Sequence, residues 1–318
     1  MSSEVEVEFD SWEGLVSYFA SADDFPGWVF RGLSSSSYSL HSKLERSLQD
    51  AEIPESEWKY RERSGFAFFK ERATLFLSNT PDDEDILGWM SFMQHYGAPT
   101  RLTDWTMSPF VACFFAYEKA RKDDGKAALW MLNAGACRVQ KIGTYFPFGP
   151  DYLGVIPSQH YSVDGSTETM PGCVVTDKDV SISENNLLRR AITEEWTYPL
   201  PLSILRPDRR MLAQQACFVC NAKLSGKEEK TPVELLMNEA LPPEFNNLLE
   251  KVPKELLNPP KVKKISLPNR WRKQALESLA KMNITADTLF PGLDGLGRTT
   301  EIHMQLYIPP LPRDYLGL

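Results

Sequence analysis

Gln94-His95-Tyr96-Gly97-Ala98-Pro99-Thr100-Arg101-Leu102-Thr103-Asp104-Trp105-Thr106-Met107-Ser108-Pro109 changes backbone character twice within sixteen residues. Upstream of it, Ile86, Met90 and Met93 repeat at helical spacing, and Gly97 is placed to end that helix. The acidic turn Asp82 to Asp85 precedes the helix and suits the positive end of its dipole. Pro99 biases its neighbour toward extended backbone, so Thr100 to Thr106 reads as a strand. Ser108 and Pro109 then form an N-cap and first-turn pair that opens a second helix, carrying Val111 to Tyr117 into the core.

Working outward, Asp10 and Glu13 open a helix whose apolar stripe is Trp12, Leu15, Val16 and Phe19. A turn through Asp24, Pro26 and Gly27 leads into Trp28-Val29-Phe30, a buried strand that delivers Arg31 and Gly32 to its C-terminal edge. Glu55 to Leu77 reads as one or two helices, broken or weakened near Ser64-Gly65. Ala127 to Leu132 and Met211 to Val219 read as further strands, and Gly149 to Asn186 as an irregular functional loop or insertion. Beyond Gly226 the chain turns helical, with a Thr231/Glu234 capping box, helices through Leu235 and through Phe245, Leu248 and Val252, and a last helix over Asn269 to Met282. The expected fold is α+β: a small mixed or antiparallel sheet flanked by helices, with a helical C-terminal tail. Residues 8–225 are expected to form the core and 226–318 a helical extension packed on it, or the two together a single domain.

With 42% hydrophobic and 25% charged residues over 318 positions, the chain has the balance of a folded protein with a sizeable core. A net charge of -8 disfavours non-specific attraction to nucleic acid or anionic membranes. Six cations between Lys261 and Lys273 form a local exception, readable as a contact for a nucleic acid or phosphorylated protein partner, or as a solvated helix face and linker. Five cysteines, with one CxxC at Cys217 and Cys220 and no second pair, read as reduced thiols and not as a zinc site. The acidic N-terminus does not resemble a secretory signal, and no apolar run reaches membrane-spanning length, so a cytoplasmic protein without a membrane partner is expected. Walker, G-x-G-x-x-G, H-E-x-x-H and G-x-S-x-G motifs are absent.

Phe30-Arg31-Gly32 together with Gln94 to Pro109 and Phe115-Ala116 resembles the FRG domain family. Weaker echoes at Arg210-Met211-Leu212-Ala213-Gln214 with Phe218, and at Leu289 to Leu296, extend the resemblance over roughly residues 8–300. Ala216, where a glycine is expected, and Gly292, where an acid is usual, depart from it. Phe30-Arg31-Gly32 is also similar to the first signature of R-S-E-type ADP-ribosyltransferases, and Asp104 to Pro109 with its helix is similar to their second. This second resemblance implies an ADP-ribosyltransferase-like fold and NAD, without a metal, as cofactor. It gives Arg31 the role of supporting NAD. Gly32, Tyr96, Thr100, Arg101, Thr106 and Ser108 are further ligand-binding candidates. The third, glutamate-bearing position falls on Gln214, a neutral amide.

A carboxylate at that position would stabilise an oxocarbenium-like transition state far better than an amide. Glu194, Glu195 or Asp104 could supply the acid, or the protein could bind a nucleotide without turning it over. His95 is a candidate general base, pairing with Asp104 or receiving a proton from Thr100, and is equally readable as a histidine capping its helix C-terminus. Arg31 and Arg101 each have a plain alternative, a structural ion pair, and for Arg101 that pair is expected with Asp104. Three functions therefore stand open: an NAD-using transferase or glycohydrolase with His95, Asp104 and Gln214 as catalytic residues; a non-catalytic module recognising a nucleotide, nucleic acid or protein, as in phage defence; and a buried network that only specifies the fold.

Overall fold

A computed structural model describes residues 6–21, 27–76, 80–120, 125–134, 137, 177–203, 207–237 and 262–306. The helices expected through Phe245, Leu248 and Val252 and most of the loop expected from Gly149 lie outside these residues.

The chain forms a mixed α+β fold around one seven-stranded sheet. Its strands are β1 (Glu6–Val7), β2 (Trp28–Leu33), β3 (Leu102–Thr106), β4 (Lys126–Asn133), β5 (Leu200–Leu202), β6 (Ala216–Cys220) and β7 (Val262–Pro268), in the order β1-β7-β4-β2-β3-β6-β5. All neighbours are antiparallel except the short edge pair β1 and β7. The helices, in chain order, are α1 (Trp12–Ser21), α2 (Lys43–Asp50), α3 (Glu55–Ala73), α4 (Ile86–His95), α5 (Pro109–Glu118), α6 (Asp177–Thr193), α7 (Arg209–Ala213), α8 (Pro232–Leu235), α9 (Arg272–Lys281), α10 (Ala286–Leu289) and α11 (Leu293–Leu306).

The sheet is covered on both sides. Alternation along β4 sends Leu129 and Met131 into a cluster with α1, α5 and α9, and Ala128, Trp130 and Leu132 into a second cluster with Val29, Cys217 and Val219. A strand buried on both faces reads as a continuous apolar run, which is what makes Ala127 to Leu132 legible. The same alternation separates the CxxC pair. Cys217 and Cys220 fall into clusters on opposite faces of β6, so the two thiols do not form a redox pair.

Helix α5 is apolar on all sides because it is sunk into the core, and its Ala112 and Ala116 are fully buried. Gly32 explains the approach. A Cβ there would lie 1.9 Å from the Ala112 carbonyl oxygen and 2.6 Å from the Ala116 nitrogen, so the helix backbone rests directly on β2.

Four sequence expectations change. The end of the stretch expected to be an irregular loop, from Asp177 to Asn186, is the first part of α6. The helix over Glu55 to Ala73 runs unbroken through Gly65, whose position has open space around it, because one exposed helical glycine costs only about 1 kcal/mol. Met211 to Val219 is not a single strand. Asp208 caps a helical turn, its Oδ1 accepting from the Met211 nitrogen at 2.7 Å, and the strand begins only at Ala216, after Gln215 has taken a positive φ of 46°. Within the Lys261 to Lys273 stretch, Val262–Pro268 is a strand paired with β4 from Lys126 to Leu132, and only Arg272 and Lys273 begin an α-helix, so the tail adds a strand to its helices; Lys261 lies outside the described residues. Lys264 lies over the Trp130 ring and donates to the Ser36 carbonyl, and buried Arg272 donates to the Tyr117 and Glu118 carbonyls. Those cations are spent on the fold itself. None of the described helices is long and apolar enough to cross a membrane.

Candidate functional site

Strands β2 and β3 are neighbours joined by a single register pair, Phe30 with Thr106. By contrast β2 meets β4 over six pairs and β3 meets β6 over five. Beyond Phe30 the sheet opens, and a cavity of about 700 Å³ occupies the gap. Arg31 and Gly32 from β2, Asp104 and Thr106 from β3, His95 from the end of α4, and Gln214 after α7 all line it. Residues drawn from four separate stretches of chain converge there.

Arg31 bridges the opening: its Nη1 donates to the backbone carbonyl of Asp104, standing in for a missing ladder bond. Its Nε is buried and makes no hydrogen bond. Burial pulls its pKa below the ordinary arginine value; the Asp104 carboxylate opposes that effect and the nearby Arg46 charge adds to it. The guanidinium stays charged throughout. An anion would satisfy such an unpaired buried donor on a cation that has a second cation beside it.

His95 does not pair with Asp104, nor does it take a proton from Thr100. Its Nδ1 lies 3.0 Å from Oδ2 of Asp208. An ionised carboxylate only accepts, so Nδ1 carries the hydrogen, and in the neutral imidazole Nε2 is then the nitrogen with the lone pair. Asp208 is fixed in turn by capping α7, and orients the imidazole as a buttressing carboxylate does in an acid–base pair. Tyr96, also expected at the ligand, packs edge-on against His95 with ring centroids 4.9 Å apart, is 60% exposed, and lies outside the cavity lining.

Asp104 is held by a relay. Buried Thr100 donates to Oε1 of Gln94 at 2.6 Å, which fixes the amide so that its Nε2 donates to Oδ1 of Asp104 at 2.5 Å. Thr100 therefore positions the carboxylate and does not itself line the cavity. Thr106 donates to the Gln214 carbonyl at 2.7 Å and accepts from the Ser108 nitrogen, tying the end of β3 to the turn that leads into β6. Ser108 is the N-cap of α5, accepting from the Val111 nitrogen, and stays off the lining.

Arg101 takes the structural ion-pair role, with a partner other than the expected Asp104, and stays off the cavity lining. Alternation turns it away from the face that carries Asp104, and it pairs with Glu62 of α3: Nε donates to Oε1 at 2.7 Å and Nη2 to Oε2. Nη1 donates to the Ala222 carbonyl, and the residue is 2% exposed. Gln214 is committed as well, its Nε2 donating to the Leu289 carbonyl at 3.0 Å. Of the other acids considered, Glu194 is bound to Arg190 and Trp196, and Glu195 to Lys59, both away from the cavity. Asp104 is the acid of the three that faces it.

Arg46, Lys119 and Arg210 also line the cavity, and sequence reading did not find them. They sit on three elements with no shared motif, so only the folded chain groups them. The buried thiols are not candidates: desolvation raises the pKa of Cys113, Cys137, Cys217 and Cys220, keeping them protonated and poorly nucleophilic near neutral pH. Alkylating reagents are expected to modify none of these four in the native protein and all of them in urea, as read by intact-mass measurement.

Residues 26–125 match the FRG domain family model. No curated protein and no solved structure matches the chain.

Proposed function

For a chain that contains an FRG domain, we propose that the cleft between β2 and β3 binds a nucleotide with a diphosphate, NAD being the leading candidate, and acts on its N-glycosidic bond. The observation that carries this reading is the single Phe30–Thr106 pair, beyond which the sheet opens and Arg31 lines one cavity with His95, whose imidazole is held from behind by Asp208. Arg31 offers a planar fork to the diphosphate, with Arg46 beside it. Nε2 of His95 takes a proton from water or an acceptor hydroxyl as that oxygen bonds to the ribose C1′. The C1′–nitrogen bond breaks, and nicotinamide leaves as a neutral base with the electron pair. Asp104, held by Gln94, faces the developing positive charge on the ribose.

Addition of millimolar NAD is expected to raise the melting temperature by several degrees through mass action. Arg31→Lys keeps the charge and loses the fork, and is expected to weaken NAD binding at least tenfold with little change in the unliganded melting temperature. His95→Gln is expected to bind NAD normally and to release nicotinamide at least a hundredfold more slowly, followed by chromatography. The absence of any thermal shift with wild-type protein overturns the reading.

One observation favours a second reading, recognition without turnover. Gln214 puts no negative charge at the cleft and uses its amide on Leu289. Under that reading wild-type protein binds NAD and releases no nicotinamide, and His95→Gln changes nothing.

A further inference from the structure

The charges around the cleft do not balance for a diphosphate alone. Arg31, Arg46, Lys119 and Arg210 face it, against Asp104 and Glu118. Glu118 is already engaged by Arg298, 3.1 Å away and outside the lining. Three positive charges are therefore left over, on a protein whose net charge is -8.

Arg210 is the informative one. It stands on α7, just ahead of β6, and so belongs to the half of the sheet across the opening from Arg31. Its guanidinium lies over the buried Phe290 ring, 4.6 Å from the centroid. Arg298 lies over the same ring at 4.0 Å, but is neutralised by Glu118 and by Asp294 at 3.3 Å. Among the described residues Arg210 has no carboxylate within ion-pair distance, and its side chain makes no hydrogen bond. Stacking engages only the face of a guanidinium; the N–H groups around its edge stay available to an anion.

We propose that the cleft receives two separate anionic groups of one ligand, a diphosphate at Arg31 and Arg46 and a phosphate monoester at Arg210, so that the preferred ligand is a ribose-phosphorylated dinucleotide. The proposal rests on the nucleotide reading above and adds the substrate class. A diphosphate's two phosphorus centres are adjacent and fit one arginine cluster, whereas a cation on the helix that leads into β6, across the opening, is placed for a separate anion.

Calorimetric titration of the full chain with NAD and with its 2′-phosphorylated form, NADP, at low and moderate salt separates the two claims. Wild-type protein is expected to bind NADP at least tenfold more tightly than NAD, with the steeper salt dependence. Arg210→Gln is expected to bring the two within about twofold of each other by weakening NADP while NAD affinity holds. Should that variant fail to fold, Arg210→Lys, which retains the charge without the fork, is expected to shrink the preference several-fold. Equal affinities in wild-type protein overturn the second subsite and leave the NAD reading standing. An NADP preference that survives both substitutions overturns the assignment to Arg210. Binding of neither dinucleotide overturns the nucleotide reading, and this proposal with it.

Discussion

Arg101→Ala is expected to cost about 3–5 kcal/mol of folding stability, a large share of what holds a domain together. The substitution strands Glu62, 15% exposed at its side chain, without the cation that neutralises it, and leaves the Ala222 carbonyl without its donor. The Arg101–Glu62 pair is also a tether, since Glu62 is on α3 and Arg101 leads into β3. Chemical denaturation with a double-mutant cycle reads both roles. Arg101→Met combined with Glu62→Leu is expected to recover most of the loss, because removing both partners leaves no charge to be buried alone. An Arg101→Ala protein that melts like wild type while losing ligand would show that the guanidinium serves the cleft and not the fold.

The second large effect is expected at Gly32. Gly32→Ala places a methyl group 1.9 Å from one backbone atom of α5 and 2.6 Å from another, and a helix backbone does not swing aside as a side-chain end does. The helix must lift from β2, at a cost of about 3 kcal/mol, the upper part of the range for overpacked sites. The lift also moves Phe115 and Lys119, which α5 and its end contribute to the cavity, so ligand binding is expected to fall in whatever fraction remains folded. A native melting temperature for Gly32→Ala would mean that α5 does not lie on the strand as described. The glycine that follows Arg31 is thus required by helix packing, and its place in the Phe30-Arg31-Gly32 signature does not by itself make it a ligand contact.

How far the fold was legible follows from which forces are local. In the stripe read as Trp12, Leu15, Val16 and Phe19, Val16 is partly buried and the other three are buried, since helical spacing alone sends those residues to one face. Ser108 with Pro109 and Thr231 with Glu234 start helices as read, because capping needs only neighbours a few residues away. Met211 to Val219 misled because its apolar residues suit either state, and the deciding signals were the Asp208 cap and the positive φ at Gln215. The β7 strand was hidden among lysines whose ammonium groups lie over aromatic rings and find backbone or hydroxyl acceptors.

From its order of residues alone the chain determined a mixed α+β architecture, the helix–strand–helix frame around Thr100 to Pro109, and the arrival of Arg31 at the end of a buried strand. These depend on periodicity, caps and turns, which act over a few residues. Partnership was decided only in three dimensions: Arg101 with Glu62, His95 with Asp208, Asp104 with Gln94, and Arg210 over Phe290. Each joins side chains according to which face a strand turns outward and how far two neighbouring strands part. Those are properties of the assembled sheet, and no stretch of the chain contains them.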